Sequence, residues 1–421
     1  MELLDALRSL VPALPPLAKF AIGMAIIVGV PPLARRVGIP EMVGFLLFGV
    51  VLGPHVLGLF DEHRPIADFF AELGKLLLMF SAGLEVDVIL FRKAQTRSII
   101  FGLVTTTVPL LLGTLLGLAF GYAIIPAIVV GSLLASHTLL GLSIVRRLGV
   151  IRLEPVIVTI GATVLSDTLS LIVFAICVST YTIGFSPTGL ATQLMEIALF
   201  VPLILFGLSR VGAYALGKLR DKEDAEFVLM LAIMAVAGMV ADFINLPDIV
   251  GAFLAGLAVN AAVRDRAATA KLEFVGKALF IPSFFFATGF LIDPSTFVQS
   301  VVGNLPLVIG VIATLVLGKW IAATVVGRAF GYTPAARMTT WALTLPQVAA
   351  TLAATLVAYR TVNADGQRML DEKMLNVVLV LMLVTSILGP VLTERFAPRM
   401  LEADARERDI STAANSRSAS D

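Results

Sequence analysis

The sequence predicts an all-α polytopic membrane protein with about thirteen transmembrane helices, arranged as two inverted-topology repeats with crossed discontinuous helices. Three observations support this fold class. Apolar segments long enough to cross a bilayer recur along the chain, basic residues gather in alternate loops, and one half of the sequence resembles the other.

The composition leaves too little polar surface for a water-soluble globule. Of the 421 residues, 58% are hydrophobic and 14% are charged, and the mean hydropathy is +0.96. A net charge of +1, with Lys and Arg in short clusters, argues against nucleic-acid binding. The one cysteine, Cys177, excludes a disulfide framework and a cysteine-ligated metal site. No predicted strand precedes a Gly-x-Gly-x-x-Gly motif, so nothing points to nucleotide binding.

Segments of about 20 apolar residues, bounded by charged residues, proline or glycine, give the predicted helices. They cover residues 17–34, 40–58, 66–84, 97–120, 124–145, 154–181, 190–216, 224–244, 247–262, 275–292, 300–327, 335–359 and 372–394. The segments after Pro40 and Pro247 are the least suited to a full crossing. Residues 1–16 lack the features of a signal peptide, so we expect the first helix to stay in the mature protein. Residues 401–421 are polar, which predicts a disordered cytoplasmic tail.

Basic residues cluster in the loops that follow odd-numbered helices, whereas the even-numbered loops are nearly free of them or, at 360–373, mixed in charge. The clusters include Arg35 and Arg36, Arg92 and Lys93, Arg146 and Arg147, Arg220 and Lys222, Arg264 and Arg266, and Arg328. Lys and Arg collect on the cytoplasmic side of membrane proteins. The pattern therefore predicts an N-terminus outside and a C-terminus in the cytoplasm, most simply in a bacterial inner membrane.

Two pairs of segments recur at a nearly constant spacing. Residues 38–49 resemble 245–256 at an offset of 207, and residues 80–87 resemble 286–293 at an offset of 206. Paired helices are seven helices apart, an odd number, so the two halves have opposite orientations. This inverted repeat is typical of secondary transporters. It divides a transmembrane domain of residues 1–400 into repeat one at 17–181, a linker helix at 190–216 and repeat two at 224–394.

Corresponding helices of the two repeats contain polar interruptions at mid-span. Ser136, His137 and Thr138 interrupt the fifth helix, and Pro346 and Gln347 interrupt the twelfth. Unwound backbone there would expose carbonyls and helix ends that attract a cation. A proline kink with hydroxyls used in helix packing is the alternative. The imidazole of His137 has an ordinary pKa near physiological pH, which is suited to pH sensing, although a polar residue satisfied at the break fits equally well.

Asp167 is a single carboxylate near the middle of the sixth helix, about 20 Å from its start. Such a residue costs about 2.5–3.5 kcal/mol on insertion scales and usually marks an ion or proton pathway. A structural carboxylate bonded to nearby hydroxyls is the alternative. We predict that Asp167 binds either a proton or a metal cation, because the two compete for its oxygens, with Ser166, Thr138 and Ser136 as neighbouring ligands.

Two lysines also lie within apolar segments. Lys319 lies about 13 Å from the end of its helix, and an inward-facing lysine that pairs with an aspartate is favoured over one that reaches the membrane surface. Lys75 follows Glu72 at a spacing of three, so we expect these two side chains to pair on one helix.

The motifs together resemble the monovalent cation:proton antiporter-2 family, which includes Kef-type potassium efflux systems and Nap-type sodium/proton antiporters. The resemblance covers residues 17–395. The matching segments are 44–58, 72–85, 251–256, 284–289, the helix that contains Asp167, and Gly318 with Lys319. The resemblance implies about thirteen helices in the sodium/proton antiporter fold. It matches the membrane domain of the family only, and we expect no nucleotide-binding domain of the Kef type.

The resemblance implies exchange of Na⁺ or K⁺ for H⁺ by alternating access, through an elevator movement of a core domain in a homodimer. It implies no enzyme activity and no cofactor beyond the transported ions, and the partners are those ions, the lipid bilayer and a second copy. Asp167 matches the residue that binds cation or proton, and Lys319 matches a lysine that pairs with an aspartate. Ser166 departs from the pattern, because relatives often have Asp or Asn there, so stoichiometry and electrogenicity stay open.

Other functions are compatible with parts of the sequence. A gated cation efflux channel or a transport-dead sensor would use the same fold. An intramembrane aspartyl hydrolase is a remote alternative, because it needs a second catalytic carboxylate and a Gly-x-Gly-Asp segment that the sequence does not contain.

Overall fold

The computed structural model describes residues 15–60, 65–84, 94–184, 186–218, 223–262 and 266–418. Within them the chain is helical, and the only extended pairing is an isolated bridge between Val362 and Arg368. The predicted all-α class is confirmed. The predictions for residues 1–14, Glu85, Asp87, Arg92, Lys93, Arg220, Lys222, Arg264 and residues 419–421 lie outside the described part of the chain.

In chain order the helices are α1 (Pro16–Val37), α2 (Glu41–Leu52), α3 (Pro65–Leu84), α4 (Gln95–Ala119), α5 (Ile124–Ala135), α6 (Leu142–Arg147), α7 (Glu154–Ile183), α8 (Pro187–Pro202), α9 (Ser209–Lys218), α10 (Glu223–Phe243), α11 (Asp248–Ala262), α12 (Arg266–Val275), α13 (Ile281–Gly289), α14 (Pro294–Gly303), α15 (Leu305–Ala329), α16 (Pro334–Leu343), α17 (Ala349–Arg360) and α18 (Glu372–Ser418). Short π-helical turns join α8 to α9 and α12 to α13.

Eight of the described helical segments are long and apolar enough to cross a membrane, and α2, α5 and α11 are shorter apolar helices. The chain is therefore an integral membrane protein, as its composition predicts. Helices α2 and α11, which follow Pro40 and Pro247, have 12 and 15 residues, fewer than the about 20 that a full crossing needs. The sequence correctly marked these two as doubtful full crossings.

Helix α18 differs from the sequence prediction at its end. It continues to Ser418, whereas the composition predicts a disordered tail from residue 401. Residues 402–408 are rich in Ala, Glu and Arg, which favour helix once a preceding helix supplies the nucleus.

The described helices belong to two compact units. Unit 1 comprises Met1–Val86 and Val178–Leu305, and unit 2 comprises Asp87–Cys177 and Pro306–Asp421. Each unit takes helices from both sequence repeats.

The internal repeat is visible in the turns of unit 1. Helices α2 and α11 begin after the same left-handed turn, with a φ of 76° at Gly38 and 54° at Asn245. Proline follows two residues later in both cases, at Pro40 and Pro247. The two turns are 207 residues apart, as the sequence comparison predicts.

Backbone contacts in unit 1 repeat in the same way. A Cβ atom on Gly49 of α2 would lie 2.0 Å from the carbonyl oxygen of Phe286 in α13, and one on Gly256 of α11 would lie 2.1 Å from that of Phe80 in α3. Only glycine allows backbones to approach this closely. The α2–α13 contact therefore matches the α11–α3 contact across the repeat.

A buried lysine holds α3 against α11 in unit 1. Lys75 is 8% exposed and pairs with Glu72 on its own helix, as predicted. Its ammonium also lies 3.0 Å from a carboxylate oxygen of Asp248 at the start of α11. The second carboxylate compensates for the loss of water around the buried charge.

In unit 2 the matching helices α4 and α15 run antiparallel. The guanidinium of Arg97, near the start of α4, lies 5.1 Å from the ring centre of Phe330, just after α15. At the other end, a Cβ on Gly310 near the start of α15 would lie 3.4 Å from the ring of Phe120, just after α4. Antiparallel partners are what an inverted repeat requires.

Candidate ion-binding site

Two discontinuous helices meet in unit 2. One non-helical break separates α5 from α6, and the other separates α16 from α17. The backbone N–H of Thr138 in the first break donates to the carbonyl of Pro346 in the second, at 2.8 Å. In return, the side-chain amide nitrogen Nε2 of Gln347 donates to the backbone carbonyl of Ser136, at 2.5 Å. The crossing broken helices predicted from the sequence are thus joined by two hydrogen bonds.

Local sequence explains the second break. Pro346 has no backbone N–H to donate within a helix. Its ring lies against Gly389 of α18, where a Cβ would come within 2.5 Å of the proline Cγ. Gln347 is fully buried, and its side chain accepts from Thr351 at the start of α17. Gln347 therefore connects three segments of the crossing and leaves its amide group satisfied.

Asp167 of α7 lies beside the first break. The backbone N–H of His137 donates to a carboxylate oxygen of Asp167 at 3.3 Å. Asp167 as a whole residue is half-buried. The structure therefore brings Asp167 to the broken helix, as its position in the sequence predicts.

The imidazole of His137 binds α7 through both ring nitrogens. Nε2 lies 2.9 Å from the hydroxyl of Thr163, and Nδ1 lies 3.3 Å from that of Ser166. His137 is 2% exposed and Ser166 is fully buried. The predicted ligand Ser166 is thus in contact with His137. Thr163 did not emerge from the sequence, although its spacing of four from Asp167 places both on one helix face.

The hydroxyls of Thr163 and Ser166 also donate to backbone carbonyls of α7, at 3.0 Å each. A neutral imidazole has one donor and one acceptor nitrogen, and each hydroxyl has one proton. One of the two hydroxyls must therefore turn its proton to the ring and give up its carbonyl bond. The proton positions on His137 are consequently coupled to those on Thr163 and Ser166, which precede Asp167 on α7.

Lys319 of α15 is fully buried and faces inward. Its ammonium donates to the carbonyl of Ala135 at 2.6 Å and to that of Thr105 at 3.1 Å. Ala135 ends α5, where helix carbonyls lack partners and carry partial negative charge. No carboxylate forms an ion pair with Lys319 in the described part of the chain. The lysine therefore contacts the end of the broken helix in place of the expected aspartate.

A small cavity adjoins the break between α5 and α6. It is lined by the hydroxyl residues Ser132, Ser136, Ser170 and Thr351, together with Leu133, Leu171, Phe174, Ala350 and Ala354. The hydroxyl of Ser170 donates to the backbone carbonyl of Asp167 at 3.0 Å. Oxygen atoms of this kind suit hard cations. Among the described residues there is no cluster of three or more His, Cys, Asp and Glu side chains that could hold a metal ion.

The second repeat places a hydroxyl where the first places a carboxylate. The backbone N–H of Gln347 donates to the hydroxyl of Thr385 in α18 at 3.0 Å, just as that of His137 donates to Asp167 in α7. The two crossings therefore have related backbone geometry but different acceptors. Among the described residues, the contact at Asp167 involves a carboxylate and the contact at Thr385 a neutral hydroxyl.

The sequence model of the transmembrane sodium/hydrogen exchanger family matches residues 22–396. The chain belongs to this family. The resemblance drawn from the sequence motifs is thereby confirmed at the level of the family.

Curated relatives include the Na(+)/H(+) antiporter NhaS5 of Synechocystis, 43% identical over 91% of this chain and 55% of the relative. This chain thus spans about half the length of that protein. The Na(+)/H(+) antiporter of Enterococcus hirae is 33% identical over 69% of this chain and 77% of the relative.

Among solved structures, the sodium proton antiporter MjNhaP1 of Methanocaldococcus jannaschii matches 91% of this chain and 97% of its own, with a TM-score of 0.69 and 13% identity. The chain therefore has the sodium/proton antiporter fold predicted from the sequence.

Proposed function

We propose that this chain is a secondary active antiporter that exchanges a monovalent cation, Na⁺ or K⁺, for H⁺. The observation that carries the proposal is the position of Asp167, a lone carboxylate beside two crossed broken helices. The family match and the names of the relatives support the same activity.

Competition at one carboxylate is sufficient to couple the two ions. A proton on Asp167 removes the charge that attracts the metal cation, and a bound cation occupies the oxygens that would take the proton. Ser136 and Thr138 at the break are proposed ligands, together with Ser166 if its hydroxyl turns away from His137. Alternating access, by an elevator movement of the domain that carries the site, then exchanges one ion for the other.

The contacts of Lys319 favour a one-for-one exchange. Its ammonium is occupied by two backbone carbonyls, and Ser166 supplies no second acid. Asp167 is then the only group of its motif whose charge changes during the cycle. One proton replaces one monovalent cation, and no net charge crosses the membrane.

We further propose that the antiporter works as a homodimer in a bacterial inner membrane, with its N-terminus outside. The alternating loop charges and the family resemblance support this arrangement. Labelling of single cysteines placed in the loops after α1 and α10, with a reagent that does not cross membranes, tests the orientation. Cross-linking of the purified protein tests the dimer.

Transport by the purified protein in proteoliposomes tests the activity. We expect Na⁺, K⁺ or Li⁺, added in turn, to dissipate a preformed pH gradient at a rate that saturates with cation concentration. Flux of a cation without proton movement would instead identify a channel of the same fold. Absence of any exchange would favour a transport-dead sensor.

A further inference from the structure

The tetrapeptide Ala-Phe-Gly-Tyr occurs twice, at residues 119–122 and 329–332. The first copy connects α4 to α5 and the second connects α15 to α16. Each connector therefore leads into a discontinuous helix. The glycines have left-handed φ angles of 85° at Gly121 and 75° at Gly331. The two connectors thus form the same turn at opposite ends of the antiparallel α4 and α15.

The two tyrosines make the same kind of hydrogen bond. Tyr122 donates from its hydroxyl to Asp371 at 2.9 Å, and Tyr332 donates to Glu154 at 3.2 Å. Asp371 directly precedes α18 and also accepts the N–H of Met374 in its first turn. Glu154 is the first residue of α7. Each tyrosine therefore ties the start of a half-helix to the start of a long helix.

These bonds complete a cross-brace around the breaks. Half-helix α5 is bound to α18 at its start by Tyr122, and the break at its end is bound to α7 by the His137–Asp167 contact. Half-helix α16 is bound to α7 at its start by Tyr332, and the break at its end is bound to α18 through Gln347. Each half-helix thus links α7 to α18. Contacts at both ends of each half-helix therefore fix the position of Asp167 along the helix axes relative to the two breaks.

Electrostatics keep the tyrosines in the form that donates. Burial, and then the charge of the nearby carboxylate, raise the pKa of Tyr122 beside Asp371. Burial and the charge of Glu154 likewise raise the pKa of Tyr332. Both phenols therefore keep their protons throughout the physiological range.

The two carboxylates that accept from the tyrosines differ in whether a cation pairs with them. Glu154 also pairs with Arg97, whose guanidinium lies over the ring of Phe330. Asp371 forms no ion pair within the described part of the chain. The Tyr122 contact is therefore the one that depends more on its hydrogen bond alone.

We propose that Tyr122 and Tyr332 are matched positioning residues, which hold the two half-helices at the height at which Asp167 binds the cation. This inference rests on the proposed function. The tyrosines act from the ends of the helices and do not contact the ion.

Transport kinetics of Tyr122→Phe and Tyr332→Phe test the proposal, because phenylalanine keeps the ring and removes the donor. We expect each substitution to raise the apparent KM for the cation about threefold to tenfold, because only part of the free energy of the lost hydrogen bond reaches the ion site at the other end of the half-helix. The maximal rate should stay within about twofold. Tyr214→Phe is the matched control, because Tyr214 is exposed and packs on Lys218 in unit 1. An unchanged KM in both variants would overturn the proposal, as would a lower maximal rate at unchanged KM.

Amide hydrogen exchange on the full-length protein gives a second readout that does not depend on transport. We expect the phenylalanine variants to speed exchange at residues 136–141 and 344–348, one half-helix away from the substituted tyrosines. Faster exchange confined to the connectors would mean a local structural role and would contradict the proposal. If the unaltered protein shows no exchange of ions, the proposed function fails, yet this measurement still tests the cross-brace.

Discussion

The backbone N–H of His137 donates to the carboxylate of Asp167 at 3.3 Å, and the imidazole of the same residue bonds to α7 through Thr163 and Ser166. His137 therefore fixes the break after α5 against the helix that contains Asp167. This residue makes the direct contact between the break and the carboxylate.

Replacement of His137 tests its part in that geometry. We expect His137→Ala to raise the apparent KM for the cation about tenfold, because it removes two buried hydrogen bonds. His137→Gln should keep most of the affinity, since its amide offers one donor and one acceptor to the same hydroxyls. Cation titrations of pH-gradient dissipation measure both. Equal losses in the two variants would show that the hydrogen bonds of the imidazole are not what holds the break.

Lys319 should be essential for the stability of unit 2. Lys319→Met leaves the carbonyl at the end of α5 without a donor, which costs about 2–3 kcal/mol and lowers the thermal midpoint in detergent. The ammonium donates its hydrogen bonds to carbonyls, and Asp167 acts on it through charge alone, so most of the penalty should remain in an Asp167→Asn background. A penalty that disappears in that background would mean that the two residues form an ion pair.

Close backbone packing in unit 1 predicts a strong glycine dependence. Gly256→Ala places a methyl group where the carbonyl oxygen of Phe80 is only 2.1 Å away, so we expect destabilisation of about 1–3 kcal/mol from overpacking. Gly23→Ala in α1 is the control, since nothing lies within 4 Å of its new methyl group. Thermal unfolding in detergent compares them. A stable Gly256→Ala protein would contradict the packing of α3 on α11.

Exchange should be electroneutral. With one carboxylate at the crossing and a serine at position 166, each cycle moves one proton against one monovalent cation. The initial rate of pH-gradient dissipation should therefore be the same with and without a clamped membrane potential. A rate that changes with the potential would indicate a second titrating group.

The sequence predicts the parts of the site whose chemistry is costly in a membrane. Asp167 stands out because a charge at mid-membrane needs a reason, and Pro346 because proline interrupts a helix. Both were found together with the repeat that aligns the two breaks. The partners of Lys319 could not be predicted, because a backbone carbonyl carries no sequence signal. Position 166, where relatives often have aspartate, is a serine in this chain.

Contacts between distant helices account for the other omissions. The bond from Thr163 to His137 joins residues 26 apart, and hydropathy does not encode which hydroxyl faces a neighbouring helix. The paired tyrosines were within reach of the sequence, because Ala-Phe-Gly-Tyr recurs at an offset of 210. Its two carboxylate partners follow only from the fold. Helix α18 continues to Ser418 because Ala, Glu and Arg favour helix, whereas the polar composition of these residues predicts disorder.

The role of Asp167 as the shared ion site is tested most directly by Asp167→Asn, which keeps the shape of the side chain and removes its charge and its titration. The matched control is Asp242→Asn, which makes the same chemical change at the exposed end of α10. In proteoliposomes with a preformed pH gradient, we expect Asp167→Asn to abolish cation-dependent dissipation and Asp242→Asn to keep the rate of the unaltered protein. Cation-dependent dissipation that persists in folded Asp167→Asn protein would show that Asp167 is not the shared site of the proton and the cation.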